Sequence, residues 1–452
     1  MILNKTRNSY HAKCIEQYNM NKITIFFFTF FCGLIQISHA EVSFLPTDDE
    51  SIDTRNRIHK EYIKTLQVRN AEAYPSYPTI PLNSNDFLSY SFDDLSNLDE
   101  DYVIKVFHCT YDWKISDLQS NEYLRGFPEL PITEFEPSFN SAIPYVNYQF
   151  DFPNDMMIPL LSGNYIIQVA PDDDLDNPIF TSRIIIYEQL IRYRAQLKES
   201  SIISNRNSHQ ELDFDVVYNG YEVFRPYDDI ENVVLQNFNW DNSISDLEPV
   251  FVKNNEISYD YGEENNFSGN NEYRFFSTAN ISGTSPSMHS LKINAKTLVP
   301  EIELKRDEFR SYKLYTTSPD INGDFKVNSL LGFNDDLEAE YCQVTFVLNK
   351  ETPMSNAQKI HILGGFNFNQ LTSESQMQYN YTLKRYELTT LLKQGYYNYT
   401  YALVEDGELD LSFVEGSHFQ TENDFHIFTY DTNPNLGYDR VIGMYKTDTF
   451  NN

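Results

Sequence analysis

Residues 341–443 contain the runs YCQVTFVL (341–348), KIHILGGFNFNQL (359–371), MQYNYTLKRYELTTLLKQGYYNYTYALVEDGE (377–408) and EGSHFQTENDFHIFTYDTNPNLGYDRVIG (415–443), and the alternation inside them decides the fold. Tyr397, Tyr399 and Tyr401 alternate with Asn398, Thr400 and Ala402 behind Gly395. One face of a strand is therefore aromatic and the other polar. Phe425 and Ile427, continued by Thr429, repeat the pattern. Gly364-Gly365 and Asp406-Gly407 are expected to supply the positive-φ positions of tight turns between strands. This is the pattern of a β-sandwich.

Upstream, the same period of two continues. Leu88, Tyr90 and Phe92 alternate with Ser89 and Ser91; Val146, Tyr148, Phe150 and Phe152 alternate with Asn147, Gln149 and Asp151; Tyr165, Ile167 and Val169 form a third row. Pro128, Pro131, Pro137 and Pro144 exclude a long helix among them. An immunoglobulin-like sandwich is expected over 58–189. Ile191, Tyr193, Ala195 and Leu197 alternate with Arg192, Arg194, Gln196 and Lys198, which fits a strand better than a basic helix. That strand opens a second sandwich, expected over 190–338, with a third over 339–452. The fold class is all-β, built from tandem β-sandwiches.

The first 19 residues carry no apolar period and precede Met20, where translation is expected to start. From Met20, basic Lys22, an apolar run over 23–35 and the small residues Ser38 and Ala40 follow in the order of a secretory signal peptide. Cleavage is expected between Ala40 and Glu41, which removes a leader over 1–40. The apolar run is shorter than the ~20 residues of a spanning helix, so the mature chain is expected to have no transmembrane segment. Residues 41–57 are polar and read as a flexible lead-in. Cys14 and Cys32 leave with the leader. Cys109 and Cys342 each sit inside a strand alternation, where a buried thiol is expected and a disulfide framework is not.

The 452 residues carry a formal net charge of −32. Removing Lys5, Arg7, Lys13, Lys22 and Glu16 with the leader leaves 30 basic and 65 acidic residues, a net charge of −35. Such a surface repels phosphate backbones, and nucleic acid is excluded as a partner. A chain with 41% hydrophobic and 15% aromatic residues is too apolar to stay unfolded.

Catalytic chemistry is not indicated. The sequence lacks G-x-S-x-G, a phosphate-binding G-x-x-x-x-G-K-[ST], H-E-x-x-H and C-x-x-C. His418 has Glu415, Ser417 and Glu422 nearby in sequence, yet a Ser–His pair adjacent in a strand points its side chains apart. Asp172, Asp174 and Asp176, and again Asp320, Asn322 and Asp324, have the spacing of a calcium loop. Arg183 and Leu331 stand where each would need its last bidentate carboxylate, so acidic turns are expected. No enzyme, metal or cofactor is expected. Sugar binding needs a flat ring against the pyranose face; Phe366, Phe368 and Tyr379 are the candidates, with core packing as the competing reading. Met156, Met157 and Ile158 are candidate contact residues on a loop tip, again with core packing as the competitor.

The runs GGFNFNQL, LKQGYYNYTY, EGSHFQTEND and YDRVIG resemble the C-terminal part of the type IX secretion system plug proteins of Bacteroidota. Upstream, YPTIPLNSNDFLSYSFDDL, FHCTYDW, PNDMMIPLLSGNYIIQV and QNFNWDNSISDLEPVFVKNNEISYDYGEENNFSGNNEYRFF resemble the same family in family order, so that the likeness covers roughly 62–445. It implies a periplasmic plug that binds the giant outer-membrane translocon barrel and closes its channel when no cargo is present. The C-terminal stretch also resembles, more weakly, early-set sandwiches that bind α-glucans, although GGFNFNQ has Phe368 where those modules carry Trp. The alternative function is therefore a glycan-binding periplasmic or surface protein.

Overall fold

In the strand Leu88–Asp94, Leu88, Tyr90 and Phe92 are buried while Ser89 is exposed, as a period of two requires of a half-buried strand. The protein, here a computed structural model, is described over residues 52–449 except 71–73, 97 and 99. The expected start at Met20, the leader, the Ala40–Glu41 cleavage pair and most of the 41–57 lead-in lie outside the described residues. Nearly all the regular structure is β. Among the described residues, no helix is long and apolar enough to cross a membrane.

The first sandwich packs two sheets around one core. One sheet has the order Arg57–Ile58, Phe180–Tyr187, Gly163–Pro171, Tyr102–Cys109, Glu129–Pro131, with Thr79–Pro81 running parallel to Phe180–Tyr187. The other has the order Ile63–Asn70, Leu88–Asp94, Val146–Phe152, Glu134–Pro137. Tyr90, Phe92, Tyr148, Tyr165 and Ile167 fill the space between. Alternating inward side chains from two sheets are what a sandwich core needs.

Sheet pairing redraws the boundary expected at 338/339. The second sandwich sets Arg192–Glu199, His209–Val217, Glu256–Tyr259 and Phe251–Lys253 against a three-stranded sheet of Ile230–Gln236, Asp424–Asp431 and Arg440–Asp448. Two of those three strands come from the far end of the chain. The third sandwich is nested inside the second. Its sheets are built on Gly395–Glu405, which pairs with Arg274–Ser277, Phe325–Val327 and Gln358–Leu363, and on Tyr341–Asn349, which pairs with Pro300–Leu304 and Arg385–Lys393. Glu415, 1% exposed, clasps the neck of the nested unit. It accepts from Arg274 on the strand that enters it (2.9 Å) and from Arg310 (2.7 Å).

Turn chemistry is met at one expected glycine pair and not at the other. Asp406 (φ +52°) and Gly407 (φ +89°) make a hairpin turn. Gly364 is extended (φ −179°) and is required for another reason, since a Cβ there would lie 2.6 Å from the Asn398 carbonyl. The left-handed positions that follow are Phe368 (φ +54°) and Asn369 (φ +56°).

Candidate functional site

The most heavily built polar cluster joins the first sandwich to the third. Asp93, at the end of Leu88–Asp94, and Lys393, at the end of Arg385–Lys393, meet at 2.7 Å with both side chains 1% exposed. The Tyr341 hydroxyl donates to the same Asp93 oxygen at 2.6 Å, so the Thr65 hydroxyl donates to Tyr341 at 2.7 Å. Asn147 donates to the other Asp93 oxygen at 2.8 Å. Lys393 also donates to the Asp336 carbonyl (2.7 Å) and lies 4.1 Å from the Tyr145 ring centre. Burial pushes the Asp93 carboxyl upward; the Lys393 charge is the largest influence against it. Around this lock, Glu340 accepts from the Ala142 amide (2.9 Å) and the Ser141 hydroxyl (3.2 Å), and Tyr145 donates to the Ala339 carbonyl (3.0 Å). Every partner of the buried pair is satisfied across the junction.

A second junction joins the first sandwich to the returning strands. Asp424–Asp431 is buried along its whole length because its two faces serve different cores. Phe425 and Ile427 face the second sandwich, while Phe428 and Tyr430 pack with Cys109, Ile166 and Ile185 of the first. The only two tryptophans meet here, Trp113 edge-on to Trp240 at 4.8 Å, with the Arg183 guanidinium 4.4 Å from the ring of one and 5.5 Å from that of the other. Arg440 holds Glu188 through two bonds of 2.6 and 2.7 Å, and Tyr430 donates to Asn164 at 2.8 Å. The described residues, 52–449, accordingly fall into one compact unit.

The sequence-derived candidates are dispersed. Met156 is 47% exposed, but Met157 is fully buried in the first core and Ile158 is half-buried, because Met157–Pro159 pairs with Leu124–Gly126 and alternates. Of the three candidates, only Met156 is exposed. Phe368 packs against the first sandwich's core and Phe366 against the third's, with Phe346 and Tyr397 at 6.3 and 5.8 Å. Tyr379 packs between Tyr381 and Tyr386, and its hydroxyl donates to the Glu351 carbonyl at 2.6 Å. The trio forms no shared platform. A cleft of about 710 Å³ runs between residues 142–143 and the outer face of the third sandwich, lined by Lys292, Glu301, Glu303, Gln343 and Thr389 among others, with no aromatic ring.

The Ser417 hydroxyl donates to the Ser208 carbonyl at 2.6 Å, while His418 has a buried Nε2 without a partner. Asp172, Asp174 and Asp176 lie in an exposed hydrogen-bonded turn. Asp320 accepts backbone N–H groups of Tyr273 (2.6 Å) and Asn322 (2.8 Å), and Asp324 accepts those of Phe325 (2.7 Å) and Ser76 (3.2 Å). Among the described residues, no group of three His, Cys, Asp or Glu side chains is placed to hold a metal. Cys109 and Cys342 are free and buried, and burial pushes each thiol up to about 12.

The sequence pattern missed both junctions. Asp93 and Lys393 end ordinary alternating strands, and no local period connects two residues 300 apart.

The family model described as type 9 secretion system plug protein 1st domain matches residues 63–188, which span the first sandwich from Ile63–Asn70 to the end of Phe180–Tyr187. A crystal structure of a hypothetical protein from Parabacteroides merdae is similar over 87% of this chain and 99% of that chain, at 30% identity and a TM-score of 0.83. No curated protein matches the chain.

Proposed function

The chain belongs to the type 9 secretion system plug protein family, and from that premise we propose that it is a periplasmic plug that binds the giant outer-membrane translocon barrel and closes its channel when no cargo is present. The observation that carries the reading is the plug-domain match over 63–188, which coincides with the sandwich gripped by both others. A very large barrel leaves an aqueous lumen, so a stopper has to hold its shape across a wide opening. Three sandwiches joined through the buried Asp93–Lys393 pair and the Trp113–Trp240 contact have that property. Separately hinged domains would not. Closure that must yield to cargo calls for a reversible contact, on the order of 1,200–2,000 Å² of buried surface.

The geometry of Phe366, Phe368 and Tyr379 gives no support to glycan binding. Capture of the tagged full-length protein from detergent-solubilised envelopes distinguishes the two roles. A single very large β-barrel should co-purify in stoichiometric amount. Retention on immobilised α-glucan with no barrel recovered would count for the alternative instead.

A further inference from the structure

Short strands at a protein surface ordinarily turn polar side chains to water, because an open apolar face invites association. A two-stranded sheet of the first sandwich departs from this. Met157–Pro159 pairs with Leu124–Gly126, which sets Met157 opposite Gly126, Ile158 opposite Arg125 and Pro159 opposite Leu124. Met157, Pro159 and Leu124 are buried, so the face they share is the core side and the residues between them point the other way. Met156, Ile158 and Leu160 therefore form an outward row at every second position, with Met156 47% and Leu160 40% exposed. Arg125, exposed, stands opposite Ile158 on that face. Phe127 lies two residues further on, 53% exposed, and its amide donates to the Met156 carbonyl at 2.9 Å. Gly126 (φ +115°) allows this approach, since a Cβ there would strike the same carbonyl.

The stripe is apolar with one charge at its centre. Three large side chains, each about half exposed, leave open on the order of 300 Å², enough to count as a patch on an ordinary monomer. That is well short of the ~800 Å² per partner of a standard protein interface. A bilayer sets no such requirement, because it offers no shape to match and side chains need only reach the boundary between headgroups and acyl chains. Arg125 indicates the polar half of the match. Among the described residues it forms no ion pair, while Lys105 and Lys114 of the same sandwich pair with Glu129 and Asp112. An arginine set among apolar side chains keeps its stem beside them and holds its guanidinium out at the level of lipid phosphates, which it can bond through two N–H groups.

We propose that this stripe, Phe127, Met156, Ile158 and Leu160 around Arg125, seats the protein on a phospholipid surface, with the apolar side chains entering the headgroup–acyl boundary and Arg125 meeting a lipid phosphate. The net charge of −32 decides which surface fits. Anionic lipid repels the rest of the chain, so the match is to a zwitterionic bilayer. The inference goes beyond closure of a barrel and stands without it. In a plug, the contact would hold the first sandwich against the membrane surrounding the opening.

Flotation of the full-length protein with vesicles of phosphatidylcholine and phosphatidylethanolamine tests this. The wild type should float with the vesicles, and adding phosphatidylglycerol should lower the bound fraction at low salt and less so at high salt. Phe127→Ser with Met156→Ser should cut the bound fraction about 10-fold or more at an unchanged melting temperature. Arg125→Glu, a change at an exposed position outside the core, should cut it about 10-fold, and Arg125→Lys much less. Ile203→Ser with Phe224→Ser, exposed on the second sandwich, should float as the wild type does. A wild type that stays off the vesicles, or stripe variants that float as well as it does, would overturn the proposal. So would sedimentation showing a wild-type dimer that Phe127→Ser with Met156→Ser disperses, since the stripe would then be covered by a second copy. Binding to the barrel is a separate measurement, so a failure of the plug reading leaves this result standing.

Discussion

Asp93 and Lys393 show how a single buried contact sets the relation between domains. Removing one member of a buried pair strands the other without compensation, a loss of about 3–5 kcal/mol. Lys393→Ala should therefore lower unfolding free energy by that amount in urea titration, whereas the double change Asp93→Asn with Lys393→Met should cost less than the sum of its parts. Equal additive losses would mean the pair is not coupled. A different residue governs pH dependence near the neck of the nested sandwich. Burial pushes Asp320 up to about 7 from its ordinary 3.8, against the two backbone N–H bonds it accepts, with Glu272 and Glu422 nearby adding to the rise. The folded protein thus keeps a proton that the unfolded chain releases near pH 4, so this group's contribution to stability declines as pH climbs from about 4 through about 7. Asp320→Asn, which cannot ionise, should be more stable relative to wild type at pH 8 than at pH 5 in paired thermal melts; a pH-independent difference would show that Asp320 is charged throughout.

Strands explain which parts of the fold were legible in the sequence. Alternation is local, so Tyr397, Tyr399 and Tyr401 and the row at Leu88, Tyr90 and Phe92 could be placed on buried faces without knowing their partners. Pairing is not local. Ile230–Gln236 finds its neighbour in Asp424–Asp431, and nothing in either run names the other. Asp424–Asp431 carries the alternation of Phe425, Ile427 and Thr429 yet is buried on both faces, so a strand that looked like a further face of the C-terminal sandwich is the central strand of the second sandwich's three-stranded sheet. Met157 and Ile158 illustrate the same limit at one residue's resolution, because a shift of one position exchanges core for surface. The nesting has a direct consequence for fragments. Residues 190–338 expressed alone lack two strands of one sheet and should give no dispersed amide spectrum. Residues 190–269 joined by a short linker to 418–449 should recover β-structure. A folded 190–338 fragment would contradict the strand exchange.

At the scale of the whole molecule, the three sandwiches pack into one compact unit, and each junction buries both apolar and charged groups. The first sandwich, which carries the plug-domain match, sits against the nested third through Asp93–Lys393 and against the returning strands through Phe428 and Tyr430. Its family and its all-β fold agree with a structural role in type 9 secretion. The central claim is closure of the barrel, and it is tested most directly by entry of a bulky antibiotic that an intact outer membrane excludes, measured in wild-type cells, in cells lacking this protein, and in cells lacking both the protein and the translocon barrel. Loss of the protein alone should admit the antibiotic, and loss of the barrel as well should restore exclusion, since the opening disappears with it. A single deletion that stays impermeable, or a double deletion as permeable as the single, would contradict the plug.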